Sequence, residues 1–372
     1  MPESRWLKKI YDRFSTDAPF LAGKDFGTGH IHDTYKIETA EGYNDYILQK
    51  LNNRVFRDIP GLQENIYRVT EHIRNRLLAE GEPEPERKCL TLIKTREGNT
   101  WLRDDNNDNW RMYVFIPDHR SYDVVLNTDQ AFEGGKATGR FQSMLSDLPS
   151  PALNETIPFF HDIEKRLEKF HSALEQDPAG RVKKVRDGID FVLSRQEDMK
   201  MIKRLGHEGY IPMRITHNDT KFNNILLDKD DRALCMIDLD TVMPGYIHYD
   251  FGDSIRTVAN MAAEDEEDLA RIRINMEMYE SFTRGYLGQM NNVITKTELE
   301  TLPSAPSLMA FIMGLRFLTD YIEGDIYYKV RKKDHNIIRS RAQFRLVENF
   351  EKHAERMRTV TFDINTSDPS SR

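Results

Sequence analysis

The first third of the chain alternates between short apolar runs and turn-rich polar segments. The segments between the runs, such as "REGN" and "DDNNDN", contain the glycine, asparagine and aspartate residues that favour turns. Between the second and third runs, apolar residues recur at helical spacing from Leu62 to Leu77, bracketed by Pro60 and Gly81. The pattern predicts an antiparallel sheet with one inserted helix. The five strand-like runs are residues 33–38, 45–51, 90–95, 100–103 and 110–116.

After Pro117 long amphipathic stretches dominate, and one β-like island at 224–240 interrupts them. We therefore predict an α+β fold with two lobes. The first, residues 1–116, is a small antiparallel β lobe with one helix, and the second, residues 117–372, is larger and mostly helical. The acidic run at 264–273 is interpreted as solvated carboxylates in the first turn of a helix. The helical stretches are 130–147, 160–176, 180–205, 264–288, 307–325 and 335–358.

Composition narrows the class of protein. The length of 372 residues exceeds one usual core, and a formal charge of −8 argues against nucleic-acid or anionic-membrane partners. Neither a signal peptide after Met1 nor an apolar run of roughly 18–20 residues for a membrane span is evident. Cys89 and Cys235 are the only cysteines and form no CxxC motif, which favours a reduced compartment. We expect a cytoplasmic protein.

The segment "THNDTKFNNILLDKDDRALCMIDLD" carries the clearest candidate chemistry. It contains H-x-D-x-x-x-x-N from His217 through Asp219 to Asn224, followed by two apolar strands and a tight turn. Pairing the strands brings Asn224, at the start of the first, beside Asp238, at the end of the second. An amide oxygen and a carboxylate suit Mg²⁺, and Asp219 in the preceding loop is placed to orient or deprotonate a hydroxyl. This is the arrangement of a phosphoryl-transfer enzyme that uses ATP.

A purely structural interpretation of the same segment makes His217 and Asp219 loop-capping residues and Asn224 a turn residue. The motif H-x-D-x-x-x-x-N alone arises by chance in roughly a few per cent of chains of this size. The predicted hairpin and the terminal Asp238 are therefore the main support for a catalytic site. Within the motif, we interpret His217 as a packing residue rather than a proton shuttle.

A nucleotide site is expected in the first lobe. Gly27, Thr28 and Gly29 form a short glycine loop before a strand, where they would cover phosphates, although a simple turn has the same letters. Lys50 lies on a strand in the position of a phosphate-pairing lysine, and an exposed strand lysine is the alternative.

Two further features of this site stay open at the level of sequence. The helix offers Glu64 and Glu71 as partners for Lys50, and both lie opposite its apolar stripe, so neither is preferred. The last strand of the lobe becomes the hinge, where backbone groups around Phe115 and Ile116 would meet an adenine.

These residues resemble the aminoglycoside phosphotransferase and choline kinase superfamily, whose fold is protein-kinase-like. The resemblance lies in "THNDTKFNNILLD", "ALCMIDLDTVMPG" and "YDFGDSIR", with Asn218 in place of the usual glycine of H-G-D. It is closer to the N-acetylhexosamine 1-kinases of bacterial amino-sugar salvage, through "FGTGHIHDTY", "YILQKLN" and "RFLTDYIEGD".

That resemblance implies an ATP- and Mg²⁺-dependent kinase of the anomeric C1 hydroxyl of N-acetylglucosamine or N-acetylgalactosamine. Asp219 would be the base, Asn224 and Asp238 would hold Mg²⁺, and Asp250 would brace the catalytic loop. Asp250 and Asp25 each begin an Asp-Phe-Gly triplet, but neither is placed to meet a metal at the hairpin.

For the sugar we identify candidates only, since the acceptor site is assembled from distant segments. Arg316 and Asp320 lie one helical turn apart, where an intrahelical ion pair is the alternative. Arg256, after "DFGDS", is interpreted as more structural than ligand-binding. The substrate-binding candidates are His32, Asp33, Asp219, Arg316, Asp320 and Tyr321.

Two other functions remain open. The same mechanism serves another acceptor, namely a different sugar, an aminoglycoside or an amino alcohol such as choline. A kinase-like binding module without turnover would lack the base, a metal ligand or the phosphate lysine, and only Lys50 is in doubt. The sequence does not indicate the preference between the two N-acetylhexosamines or the oligomeric state.

Overall fold

The computed structural model describes residues 2–27, 31–149 and 153–367. Its first part is an antiparallel sheet of order β1-β2-β3-β6-β4, with β5 also pairing with β6. Predicted positions 28 and 29 of the glycine loop lie outside the described residues. The elements are β1 (Phe20–Asp25), β2 (Asp33–Thr39), β3 (Tyr46–Leu51), β4 (Leu92–Ile93), β5 (Leu102–Arg103), β6 (Asn109–Val114), α1 (Pro2–Tyr11), α2 (Ile59–Ala79) and α3 (Pro85–Lys88).

The two faces of this sheet are covered by different parts of the molecule. Leu7, Tyr11 and Phe14 pack against Leu48 and Trp110, so α1 and the residues after it cover the face formed by the even-numbered positions of β3 and β6. Leu51 and Tyr113, at odd-numbered positions, belong instead to the main core shared with α2 and the helical part. In β3 and β6, the side chains that can reach the rest of the molecule are therefore the odd-numbered ones.

The second part is mostly helical. Two of its helices, α4 and α9, approach closely because glycines face backbone: a Cβ at Gly135 would lie 2.0 Å from the Phe282 carbonyl oxygen, and one at Gly285 would lie 2.1 Å from that of Phe132. Its elements are α4 (Thr128–Met144), α5 (Ile163–Gln176), α6 (Arg186–Arg195), α7 (Met201–His207), β7 (Arg214–Thr216), β8 (Ile225–Leu227), β9 (Ala233–Met236), β10 (Met243–Gly245), α8 (Ile247–Val258), α9 (Met276–Met290), α10 (Lys296–Thr301), α11 (Ala305–Glu323) and α12 (His335–Ser367).

The predicted α+β fold, with an antiparallel sheet lobe and a helical lobe, is confirmed. The division at 116/117 stays a prediction, and β6 ends two residues before it. The prediction of one continuous helix at 264–288 was wrong, because Asn275 caps the helix that begins at Met276. Carboxylates of the acidic run form ion pairs outside the helix, for example Asp265 with His335. The stretch 180–205 is likewise divided, between α6 and α7.

One segment, Lys296–Glu323, is long and apolar enough to cross a membrane by composition, and 72% of its most apolar window is buried inside the protein. This is the burial of a core helix, and it is weak evidence for a membrane span.

Candidate functional site

A buried carboxylate holds the loop that carries the predicted base. Asp250, in α8, accepts hydrogen bonds from the backbone N–H groups of His217 (2.8 Å) and Asn218 (2.7 Å) and from the Gln142 amide (2.7 Å). Its own carbonyl accepts from the Thr220 hydroxyl at 2.8 Å. Asp250 is fully buried, and burial raises the pKa of its carboxyl despite these donors. The predicted bracing role of Asp250 is confirmed.

The loop turns at Asn218, the residue that stands in place of the usual glycine of the H-G-D motif. Asn218 has φ +64°, in the left-handed region that asparagine tolerates better than most residues. Its amide also stabilises the turn, since Oδ1 accepts from the Thr216 hydroxyl (3.0 Å) and Nδ2 donates to the Thr241 carbonyl (2.9 Å). The departure from H-G-D therefore preserves the backbone geometry.

Asp219 faces a lysine that the sequence analysis did not single out. Lys221 Nζ lies 2.9 Å from Asp219 Oδ1, and the Asn224 amide nitrogen donates to the Asp219 carbonyl at 2.9 Å. Burial alone would raise the pKa of Asp219, but the charge and hydrogen bond of Lys221 outweigh it, and the pKa lies below its usual value. The position of Lys221, two residues after the aspartate in the same loop, was the available signal.

The hairpin forms as predicted and places Asn224 beside Asp238. Ile225 pairs with Met236, and the Ile237 N–H donates to the Asn224 carbonyl at 2.9 Å. His217 holds this end of the hairpin: its Nε2 donates to the Ile237 carbonyl (2.9 Å), while its Nδ1 accepts from the Asp219 N–H (3.3 Å). Both ring nitrogens are thus engaged in structure, as a packing histidine requires.

Asp238 is exposed to solvent and stands close to two other carboxylates. The surrounding protein atoms, together with repulsion from Asp240 and Asp219, raise the pKa of Asp238 above its usual value. Asp240 behaves in the opposite way: burial opposes its charge, but the Arg111 guanidinium and the His32 ring hold its pKa far below the usual range. A bound cation beside Asp238 would relieve this repulsion.

His32 belongs to this cluster and does not line the pocket beside Arg316. Its Nε2 lies 2.9 Å from Asp240 Oδ2, and its Nδ1 accepts from the Asn52 N–H at 3.0 Å. Since Nδ1 is an acceptor, Nε2 carries the proton and donates it to Asp240. The neighbouring candidate Asp33 is exposed and pairs in register with Lys50.

The structure does not bring Lys50 to the catalytic group. Lys50 is at an even-numbered position of β3, on the face covered by α1, and its Nζ pairs with Asp108 at 2.7 Å. Neither Glu64 nor Glu71 is its partner. Arg111 lies on the opposite, inward face of the sheet and pairs with Asp240.

Only part of the predicted nucleotide site can be located. Gly27 has φ +77°, with open space where a Cβ would be, as in a glycine turn. The ring of Phe115 packs edge-on against Phe26, beside this turn, at 5.8 Å. The Phe115 N–H donates to the Asp45 carbonyl and the Ile116 carbonyl accepts from His119, so these two hinge groups already have partners.

Arg316 and Asp320 both line a pocket, but they do not form an ion pair. Asp320 Oδ1 accepts from the N–H groups of Ile326 and Tyr327, and Oδ2 accepts from the N–H of Tyr328 and from Asn336. Its carboxylate therefore shapes the segment after α11, and its oxygens are occupied.

The pocket around Arg316 contains about 410 Å³ of non-atom space, including its open mouth. Arg166, Tyr327 and Tyr328 also line it, and no local sequence signal identified them. Tyr321 does not line it, because its hydroxyl donates to Asp334 and its ring packs under the Arg181 guanidinium. In the part of the chain that the structure describes, neither Arg166 nor Arg316 has a carboxylate within ion-pair distance.

Arg256 is buried and paired with Asp253 at 2.8 Å, which agrees with its interpretation as a structural residue. Its NH1 also lies 3.7 Å from Glu264, at the start of the acidic run, and the Glu264 side chain is partly exposed.

Comparisons with known proteins agree with this geometry. Residues 23–286 match the model of the phosphotransferase enzyme family, APH. The fold resembles that of a microcompartment-associated aminopropanol kinase (14% identity, 95% of this chain and 98% of that chain covered, TM-score 0.63). It also resembles an aminoglycoside phosphotransferase from Alicyclobacillus acidocaldarius (8% identity, 94% and 96% covered, TM-score 0.63). A third similar structure is a spectinomycin phosphotransferase in complex with ADP and spectinomycin (13% identity, 92% and 99% covered, TM-score 0.50).

The family model covers well over half of the chain, and the predicted base, the loop brace and the hairpin lie within the matched residues. The chain therefore belongs to the phosphotransferase enzyme family, APH.

Proposed function

We propose that this protein transfers the γ-phosphate of ATP to the anomeric C1 hydroxyl of an N-acetylhexosamine, GlcNAc or GalNAc, with Mg²⁺ held by Asn224 and Asp238. The observation that carries the acceptor assignment is the pocket around Arg316, whose guanidinium groups have no carboxylate partners among the described residues. The resemblance of the catalytic and late-helix segments to N-acetylhexosamine 1-kinases supports the same acceptor.

A short chain of contacts connects this pocket to the base. The carbonyl of Asn218, next to Asp219, accepts from His161 Nε2 at 2.9 Å. The His161 ring packs against Phe160, with centroids 4.4 Å apart. Phe160 in turn contacts both arginines, since Arg166 donates to its carbonyl (2.8 Å) and Arg316 lies 5.2 Å from its ring centroid. Phe160 and His161 thus connect the wall of the pocket to the loop that carries Asp219.

The pocket chemistry suits an uncharged, hydroxyl-rich acceptor. Guanidinium groups offer several N–H donors to ring hydroxyls and to an acetamido carbonyl, and Tyr327 and Tyr328 supply aromatic faces. Asp320 is the one carboxylate in the lining, and its oxygens are already hydrogen-bonded. A cationic acceptor such as choline or an aminoglycoside would meet arginines and no available carboxylate, which disfavours the alternative acceptors.

The donor set at the hairpin fits Mg²⁺. The Asn224 amide nitrogen is committed to Asp219, so its oxygen faces outward, and Asp238 supplies a carboxylate. Across residues 2–27, 31–149 and 153–367 no group of three or more His, Cys, Asp or Glu side chains forms a metal site. Two protein oxygens leave the other positions to phosphates and water, as Mg²⁺ prefers. When bound, the ion would neutralise charge on the transferring phosphate.

The transfer to C1 does not require a strong base. The lowered pKa of Asp219 keeps it ionised at neutral pH, so it can accept a proton or orient the hydroxyl. An anomeric hydroxyl is more acidic than an ordinary alcohol, so positioning and electrostatics suffice. Lys221, beside Asp219, would neutralise charge on the phosphate as it moves.

An acceptor panel tests the proposal. Purified protein with ATP and Mg²⁺ is offered GlcNAc, GalNAc, their 1-O-methyl glycosides, choline and kanamycin. We expect turnover of the free sugars and none of the methyl glycosides; turnover of the blocked glycosides would overturn the C1 assignment. Turnover of choline or kanamycin alone would establish the alternative. D219N should lose turnover and keep nucleotide binding.

A further inference from the structure

A second cavity lies between the two lobes, on the side of the hairpin that faces α2. Its walls come from α2 (Ile73, Leu77), from α4 (Ala137, Phe141) and from β9 (Leu234, Met236). It contains about 750 Å³ of non-atom space, including its open mouth.

This interlobe cavity is separate from the catalytic group and the acceptor pocket. Neither Asp219 nor Asn224 lines it, and it shares no residue with the pocket around Arg316. It does lie against the metal end of the hairpin, because Leu239, directly after Asp238, forms part of its wall. A molecule bound there would contact both lobes and the turn that positions Asp238.

The walls are apolar and the charged lining residues are all cations. Lys88, Lys136 and Arg140 reach the cavity, and no carboxylate lines it. Arg140 pairs with Glu80 and Lys136 with Glu133. Lys88 has no ion-pair partner within the described ranges. Among the described residues the cavity thus offers one lining cation without an ion pair, beside apolar side chains, which an anion with an apolar body complements.

Both cysteines of the chain line this cavity, one from each lobe. Cys89 precedes β4 and Cys235 lies in β9, and both thiols are free and buried. Burial raises the pKa of the Cys89 thiol to about 12, as an apolar, water-poor wall requires. The two thiols are natural reporters of whether the cavity is filled.

We propose that the interlobe cavity is a second ligand site, distinct from the nucleotide and acceptor sites, for an amphipathic anion. Its ligand has an unbranched or compact apolar body between α2, α4 and β9 and a single carboxylate or phosphate that pairs with Lys88. The site extends the proposed function without depending on it, since its occupancy is measurable without turnover.

The test uses the full chain and sodium decanoate below its micellar concentration, titrated by calorimetry. We expect saturable binding of one decanoate per chain and no comparable binding of decyltrimethylammonium, whose head has the opposite charge. K88M should weaken decanoate binding about tenfold. The matched control K229M removes an exposed lysine at the turn of the same hairpin, outside the lining, and should leave binding unchanged.

Two further measurements test whether decanoate binds inside the cavity. A137W places an indole in the chamber and should abolish binding in protein shown to be folded by circular dichroism. In the wild-type chain, decanoate should slow alkylation of Cys89 and Cys235 by N-ethylmaleimide at least several-fold. Absent binding, equal binding of the two amphiphiles, equal effects of K88M and K229M, or unprotected thiols would each overturn the proposal.

Discussion

Arg111 and Asp240 form a buried, two-pronged ion pair that joins the sheet to the turn carrying Asp238. The Arg111 NH2 group lies 2.7 Å from Asp240 Oδ2, and the second prong joins NH1 to Oδ1. Both side chains are almost completely buried. Because His32 also donates to Asp240, one carboxylate holds two residues of the sheet lobe against the hairpin.

Removing the Asp240 carboxylate should destabilise the folded protein. D240N leaves the Arg111 guanidinium buried without a counter-charge, so we expect the free energy of unfolding to fall by about 3–5 kcal/mol in urea titrations. The control D12N removes a partner of the exposed Lys8–Asp12 pair, which should cost less than about 1 kcal/mol. Equal effects of the two variants would show that the buried pair does not stabilise the lobe contact.

The sequence and the structure favour different lysines as the cation that binds phosphate. Lys221 lies against Asp219, whereas Lys50 pairs with Asp108 on the outer face of the sheet. K221M should therefore lower kcat by at least about 100-fold, as expected for loss of a cation at the transferring phosphate.

The matched variant K50M should change kcat and the KM for ATP by less than about twofold. Steady-state kinetics with ATP varied at saturating acceptor measure both. A large rise in the KM for ATP with K50M, together with a silent K221M, would restore the sequence-based assignment of Lys50.

The difference between these lysines shows what sequence periodicity can predict. The hairpin from Asn224 to Asp238 is local, since pairing two adjacent strands fixes which ends meet. The face on which Lys50 lies depends on α1 covering one side of the sheet, a contact between distant segments. Helix α8 was not among the predicted helices, and every one of its residues but Thr257 is buried, polar residues such as Asp250 included. The acceptor pocket draws on Arg166, Arg316 and Tyr327, which are close only after folding.

The acceptor pocket gives a prediction that distinguishes its lining from the nearby helix. R316M removes a guanidinium that lines the pocket, so we expect the KM for the acceptor to rise at least about tenfold while the KM for ATP is unchanged. The control Y321F removes a hydroxyl that donates to Asp334 outside the lining, and should leave the KM for the acceptor within about twofold. If Y321F raised the KM for the acceptor more than R316M does, the acceptor would bind on the other side of α11, next to Tyr321.

Two buried histidines predict how the stability of the protein depends on pH. Burial lowers the pKa of both His161 and His248 from 6.5 to about 4, and each has a buried Nδ1 without a hydrogen-bond partner among the described residues. The unfolded chain therefore binds more protons than the folded chain between these values, so stability is fully present above about pH 6.5 and is lost as the pH falls towards 4.

Each histidine should account for about 2–3 kcal/mol of the loss between pH 7 and 4.5, since one pKa unit corresponds to about 1.4 kcal/mol. H248Q removes one of these groups. Between pH 7 and 4.5 the free energy of unfolding of H248Q, measured by urea titration, should therefore fall by about 2–3 kcal/mol less than that of the wild type. H207Q changes an exposed histidine and should follow the wild type. If H248Q and H207Q have the same pH dependence, His248 is not buried in its neutral form and does not contribute to the acid sensitivity of the fold.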